Sequence, residues 1–126
     1  MIRGIGIDTA SINEVKGIAE RLSKGALARM FTSAELEASC KKPAYAEYLA
    51  TRFAAKEAVF KAVAHLLEEK YFDLRLVETC SRDDGSPYVS INDSFRDILN
   101  RAGVSSLFIS ITTEGDFATA FVIAEG

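Results

Sequence analysis

Two acidic side chains stand where a chain seldom places a charge. Asp8 follows Gly4-Ile5-Gly6-Ile7, and Glu57 lies within Arg52-Phe53-Ala54-Ala55-Lys56-Glu57-Ala58-Val59-Phe60-Lys61, a stretch dominated by small and apolar residues. If both face one cleft, they form a hard oxygen site. Magnesium suits such a site, because it takes one or two carboxylates, keeps several waters and fills its octahedron with substrate phosphate oxygens. Lys61 is four residues beyond Glu57, on the same helix face and about 6 Å further along the axis. It could hold a phosphate while the carboxylates hold the metal, so the chemistry suggested is phosphoryl transfer. Spacing alone also admits a plainer arrangement, with Glu57 and Lys61 as a surface ion pair worth about 0.2–0.5 kcal/mol and Asp8 as a strand-ending cap.

Other reactive residues offer less. His65 is the only histidine, and near a helix end it reads as a solvated or capping group rather than a general base. Cys40 and Cys80 are far apart, lack metal-ligand spacing and read as reduced structural thiols. No triad of serine, histidine and acid can be assembled from periodicity. A net charge of −3 gives no reason to expect nucleic acid or an anionic membrane as partner. Locally, however, Lys16, Arg21, Lys24 and Arg29 stand against Glu20 alone. Such a run is either a solvated helix face or a docking surface for an acidic partner.

The elements that must position these groups follow from periodicity and caps. Residues 2–8 read as a strand ended by Asp8, whose glycines permit close approach of another backbone or a ligand. Ser11 and Glu14 form a capping-box pattern opening a helix over 12–24 that stops near Gly25, and Thr32 with Glu35 repeats the pattern before a short helix ending ahead of Pro43. From Ala44 to about Lys70 there is no glycine or proline, so one long helix is predicted. Residues 72–80 and 87–91 read as an antiparallel hairpin around Asp83-Asp84-Gly85. Asn92 or Asp93 caps a helix ending at Gly103, and two strands follow, one carrying Leu107, Ile109 and Ile111 and the other spanning 117–124. With 126 residues, 48% hydrophobic and 26% charged, the chain reads as a single α+β domain over 1–126, an antiparallel-rich sheet packed against a long helix. Met1 leads straight into the first strand, so neither a signal peptide nor a membrane span is expected, and a cytoplasmic location follows.

Gly4-Ile5-Gly6-Ile7-Asp8, followed by Arg52-Phe53-Ala54-Ala55-Lys56-Glu57-Ala58 and Lys61-Ala62, closely resembles the bacterial holo-acyl-carrier-protein synthases of the 4'-phosphopantetheinyl transferase superfamily. Phe31-Thr32 with Glu35, the Gly85-Ser86-Pro87-Tyr88 turn and the closing Ile109-Ser110-Ile111-Thr112 to Phe117-Ala118 hairpin extend the resemblance along the chain. It implies the 4'-phosphopantetheinyl transferase fold, a homotrimer, and coenzyme A lying in a cleft between neighbouring subunits. It further implies magnesium on Asp8 and Glu57, phosphate contact from Lys61, and coenzyme A contacts from Arg52, Lys61, Gly85 and Pro87. The reaction implied is attack of a carrier-protein serine hydroxyl on the β-phosphorus of coenzyme A, releasing 3',5'-ADP and serving fatty acid biosynthesis, with polyketide synthesis as the open alternative. An acidic acyl carrier protein would give Lys16, Arg21, Lys24 and Arg29 a partner.

The chain departs from the family pattern in three places. Ala64-His65-Leu66 stands where Gly-Thr-Gly is usual, Glu14 where the first helix commonly carries an arginine, and Thr113 where the closing strand often has a histidine. Three alternatives stay open at the level of sequence: a divergent paralogue that binds coenzyme A or carrier protein without turnover, a trimeric structural protein, and a coenzyme A hydrolase.

Overall fold

The computed structural model describes residues Met1–Gly126. Strand β1 (Ile2–Ser11) is followed by helices α1 (Ile12–Arg21), α2 (Lys24–Leu27), α3 (Ser33–Cys40) and α4 (Tyr45–Val63). Then come the hairpin β2 (Glu78–Ser81) and β3 (Pro87–Ser90), helix α5 (Asp93–Ala102), and the hairpin β4 (Ser106–Glu114) and β5 (Phe117–Glu125). β5 lies between β1 and β4 in a three-stranded antiparallel sheet, and β2 with β3 forms a separate two-stranded one. The α+β architecture and the helix laid against an antiparallel sheet are as the sequence indicates. No helix is long and apolar enough to cross a membrane.

The core is organised around α4, which is covered on most sides. Ala46, Ala50, Ala54, Ala55, Ala58 and Ala62 are buried along it, and β5, which packs on the same helix, buries small residues such as Ala118 and Ala120. Small side chains on both surfaces let helix and sheet approach closely, and at β1 the approach reaches backbone contact. A Cβ built on Gly4 would lie 2.0 Å from the Ala62 carbonyl oxygen, and one on Gly6 would lie 1.9 Å from that of Ala58. Two strand residues advance about 6.6 Å and four helix residues about 6.0 Å. Strand and helix, running in opposite directions, therefore stay in step, and the next inward position on β1 after Gly4 and Gly6 is Asp8.

Several boundaries differ from expectation. β1 does not end at Asp8 but continues to Ser11, because β5 offers paired residues as far as Phe117. Ser11 Oγ accepts from the Glu14 amide, but the Glu14 side chain does not close the box; Asp116, in the β4–β5 turn, accepts instead from Ser11 Oγ at 2.6 Å and the Asn13 amide at 2.9 Å. α1 stops at Arg21 because Ser23 starts a new helix, its Oγ accepting from the Ala26 amide. The Thr32–Glu35 capping box forms in both directions, and Asn92 caps α5. α4 ends at Val63, short of Lys70, and passes into a 3₁₀ turn over Ala64–Leu66. Leu67 and Phe72 turn inward there to bury themselves, while Glu68 and Glu69 would be poorly placed at the negative end of a continuing helix; Glu69 pairs with Arg101 of α5 instead. The strand expected over 72–80 is confined to Glu78–Ser81, because the Asp73 carboxylate accepts from the Arg75 amide and guanidinium and holds residues 74–76 in a 3₁₀ turn.

The same helix ties the small sheet to the core through buried cations. Arg52 Nη1 donates to the Thr79 carbonyl at 3.0 Å, and Lys56 Nζ donates to the carbonyls of Val77 and Leu74 while pairing with Glu35 Oε1 at 2.7 Å. Burial lowers the pKa of Lys56, and the Glu35 carboxylate opposes that shift.

The contact between β1 and α4 has a measurable cost of disruption. Gly6→Ala sets a methyl group against backbone that has no rotamer to yield, and is expected to destabilise by about 1–3 kcal/mol or more. Gly17→Ala, in α1 with nothing within 4 Å of the new carbon, is expected to stabilise by about 0.5–1 kcal/mol. Urea denaturation of both variants checks this; equal tolerance of the two would remove close approach as the reason for glycine at position 6.

Candidate active site

Asp8 lies on the face of β1 that meets α4, and Lys61 reaches it across the edge of the strand. Lys61 Nζ donates to Asp8 Oδ1 at 3.1 Å and to the Ile7 carbonyl at 3.0 Å. Glu57, one helical turn before Lys61, is half-buried. Its pKa is raised, first by burial and then by the negative charge of Asp8, with Lys61 acting in the opposite sense. The backbone register of β1 on α4 thus brings Asp8, Glu57 and Lys61 to one place. The simple i,i+4 ion pair between Glu57 and Lys61 is not what forms, since Lys61 turns to Asp8 and no ion pair engages Glu57.

Two carboxylates stand here against one ammonium, which Asp8 alone engages, leaving an excess of negative charge and unclaimed oxygens on Glu57. A hard divalent cation fits that donor set. The cluster supplies only two carboxylates, with no third histidine, cysteine or acid to complete a protein cage, so a cation would draw its other ligands from water or a phosphate-bearing substrate. This is the manner in which magnesium is usually held.

The remaining candidates lie elsewhere within one chain. Arg52 is buried, bonded to the Thr79 carbonyl and stacked 4.7 Å from the centre of the Tyr48 ring. It projects from α4 about 140° around the axis from Glu57. Gly85 occupies the β2–β3 turn with φ of 88°, and Pro87 begins β3; that hairpin docks on the Arg52 and Lys56 side of α4. Arg52, Gly85 and Pro87 are therefore not gathered with Asp8, Glu57 and Lys61 in a single protomer. His65 acts as a cap, its Nε2 lying 3.1 Å from the Ala62 carbonyl oxygen. Thr113 borders an open groove of about 420 Å³ with Lys42, Tyr48 and Thr51.

Lys16, Arg21, Lys24 and Arg29 are all exposed. Lys24 stands at the edge of a mostly apolar groove of about 390 Å³ whose walls include Ala19, Leu27, Leu36 and Leu49. Sequence reasoning missed the buried pair of Lys56 and Glu35. Its signal was present in the spacing: Lys56 is one turn after Arg52 and directly before Glu57, so a helix that points Glu57 outward from the core must turn Lys56 toward another element.

Residues 4–122 match the family model described as the 4'-phosphopantetheinyl transferase superfamily. A holo-[acyl-carrier-protein] synthase of Desulforudis audaxviator is 37% identical over 126 residues, spanning 100% of this chain and 95% of that protein. Among solved structures, holo-[acyl-carrier-protein] synthase from Neisseria meningitidis superposes with a TM-score of 0.88 at 29% identity, covering 100% of both chains. A holo-(acyl-carrier-protein) synthase from Bacillus anthracis in complex with CoA (3',5'-ADP) gives a TM-score of 0.76 at 26% identity, covering 98% of this chain and 96% of that one.

The raised carboxyl of Glu57 fixes the sign of a stability change. A group whose pKa is higher folded than unfolded binds more protons in the native state, so stability falls as pH rises between the two values. Glu57→Gln is therefore expected to raise Tm by a few degrees at pH 7 in metal-free buffer, with the gain disappearing below about pH 4. Thermal melts at both pH values test this, and a lower Tm at pH 7 would mean that Glu57 is held by a favourable contact.

Proposed function

The chain belongs to the 4'-phosphopantetheinyl transferase superfamily, and from that premise we propose that it transfers the 4'-phosphopantetheine arm of coenzyme A to a serine of apo acyl carrier protein, releasing 3',5'-ADP. The observation that carries this reading is the convergence of Asp8, Glu57 and Lys61 at the edge of β1. Asp8 and Glu57 would hold magnesium, which when bound neutralises charge on the pyrophosphate oxygens. Lys61 orients the phosphate from the same helix face. The carrier serine oxygen, giving up its proton to solvent, would bond to the β-phosphorus as the bond between that phosphorus and the bridging oxygen of the coenzyme A pyrophosphate breaks, and the oxygen would leave on the 5'-phosphate of 3',5'-ADP.

The acidic carrier protein would approach the exposed Lys16, Arg21, Lys24 and Arg29, with complementary charge speeding encounter and setting orientation. The apolar groove beside Lys24 would receive apolar side chains of that partner. Fatty acid biosynthesis in the cytoplasm is the setting this activity serves, and the free thiols of Cys40 and Cys80 are consistent with a reducing compartment.

We infer a homotrimer, a reading supported by the uncovered face of the sheet. Ile5, Ile7, Phe108 and Phe121 all point away from α4 and are each more than a third exposed, and cross-strand register places Ile7 beside Phe121 and Ile5 beside Ile123, which also faces Phe108. A contiguous apolar surface of this kind calls for a partner. Copies of the chain closing over it would allow Arg52, Gly85 and Pro87 of one subunit to approach the Asp8 cluster of another.

Transfer of labelled phosphopantetheine to purified apo acyl carrier protein tests the activity. Asp8→Ala is expected to lower kcat at least about 100-fold, and chelation should abolish transfer until magnesium is restored. The pair Arg21→Glu and Lys24→Glu should raise KM for carrier protein several-fold and leave that for coenzyme A unchanged. Coenzyme A binding without transfer would favour a binding module, and ADP release without carrier protein would favour a hydrolase. Separately, Phe121→Glu is expected to dissociate the assembly by light scattering; a wild-type monomer would overturn the trimer.

A further inference from the structure

Tyr71 is the most exposed aromatic side chain of the protein, at 64%, and its neighbours in sequence hold it there. Phe72 is buried, with its ring centre 5.3 Å from that of Phe60 and 5.9 Å from that of Phe95. Lys70 has a φ of 57°, a left-handed conformation unfavourable to a residue with a side chain, and its Nζ donates to the His65 carbonyl at 2.9 Å. The chain is thus anchored on both sides of Tyr71, and the ring is presented rather than left loose. It packs on Phe60, with ring centres 6.1 Å apart and planes at 67°. An edge contact of that kind covers at most one face of the Tyr71 ring.

Phe60 ties this ring to the Asp8 cluster. It stands on α4 one turn after Glu57 and directly before Lys61, and residues three apart on a helix have Cβ atoms about 5–6 Å from each other. Around the axis, Glu57 and Lys61 have the backbone contact with β1, at Ala58 and Ala62, on one side and Phe60 on the other. The open strip of helix that carries the carboxylate and the ammonium is therefore flanked, on the side away from β1, by Phe60 and Tyr71. The two steps from Glu57 to Phe60 and from Phe60 to Tyr71 together match in scale the separation between the pyrophosphate and the base of an adenine nucleotide.

The direction of reaction selects the part of coenzyme A that reaches this ring, and here the inference rests on the transferase reading. Arg21 and Lys24, where carrier protein would dock, belong to α1 and α2, and these helices lie against the N-terminal half of α4, at Tyr45, Leu49 and Phe53. Tyr71 lies against the last turn of α4. In phosphoryl transfer the attacking and leaving oxygens are roughly in line with the phosphorus. A serine entering from the N-terminal half of α4 would send the departing 3',5'-ADP toward the C-terminal half, where its base meets Tyr71. We propose that Tyr71 is the base-stacking residue of the nucleotide half of the site, its open face receiving the adenine of coenzyme A.

Isothermal titration calorimetry with 3',5'-ADP and, separately, with inorganic pyrophosphate, both with magnesium present, compares the wild type with Tyr71→Phe and Tyr71→Ala. Loss of a base–aromatic stack is expected to weaken 3',5'-ADP binding about tenfold or more in Tyr71→Ala, while Tyr71→Phe, which keeps the ring, stays within about twofold of wild type. Pyrophosphate, which has no base, should bind all three alike. Wild-type affinity for 3',5'-ADP in Tyr71→Ala would overturn the subsite and leave the transferase reading intact. Equal weakening of both ligands would also overturn it, because the loop would then only support the cleft. Binding of 3',5'-ADP that depends on Tyr71, with no transfer to carrier protein, would keep the subsite and remove the transferase; a wild-type protein that binds no 3',5'-ADP would remove both.

Discussion

The contact on which the molecule turns is backbone against backbone: the inner face of β1 on the carbonyls of α4 at Ala58 and Ala62. It exists only because positions 4 and 6 carry no Cβ, and because strand and helix rises are commensurate over two and four residues. Every distance in the Asp8 cluster follows from it. With a side chain at either glycine, the strand would stand off the helix, and Lys61 could no longer bond both the Ile7 carbonyl and Asp8. Glycine here is therefore a positioning device for a carboxylate several residues away.

α4 serves two purposes on two faces. Arg52 and Lys56, one turn apart, supply donors to the carbonyls of Leu74, Val77 and Thr79, so a short sheet with little apolar surface of its own is held by charged hydrogen bonds. Glu57 and Lys61, also one turn apart, project to the side of β1 and remain partly or largely open. A single residue step, about 100° on a helix, separates the structural cation Lys56 from the site carboxylate Glu57. The dense run of charges in this segment is thus two consecutive i,i+4 pairs with different surroundings.

The helix caps were legible because they are local. Thr32 and Asn92 name their own backbone partners within three residues, and Gly103 ends α5 in the left-handed conformation a glycine accommodates. The convergence of Asp8, Glu57 and Lys61 could be suspected from residue type, but the register producing it is a tertiary fact. What stayed hidden was decided by distant partners. Asp116 completes the start of α1 from more than 100 residues away, β5 prolongs β1 beyond Asp8, and the burial of Leu67 and Phe72 ends α4 early. Helix propensity favours continuation through Ala64-His65-Leu66-Leu67, but it contributes tenths of a kcal/mol per residue against roughly 1.5–3 kcal/mol for burying one leucine or phenylalanine. The tertiary term wins.

Burial also settles which lysine of the motif is free to act. Lys56 and Lys61 are five residues apart, and each is paired with a carboxylate. The Lys56 side chain is 0% exposed and its ammonium is held by two carbonyls and Glu35, so withdrawing it would strand a buried acid; breaking such a pair costs about 3–5 kcal/mol. The Lys61 side chain is 53% exposed and meets Asp8 at the lip of the cleft, where an ion pair is worth about 0–1 kcal/mol. Exchanging Asp8 for another oxygen would therefore be cheap for Lys61, and in the proposed reaction a phosphate taking that place would free Asp8 oxygens beside Glu57. On the proposed function, a lysine so placed would couple phosphate binding to the exposure of the two carboxylates.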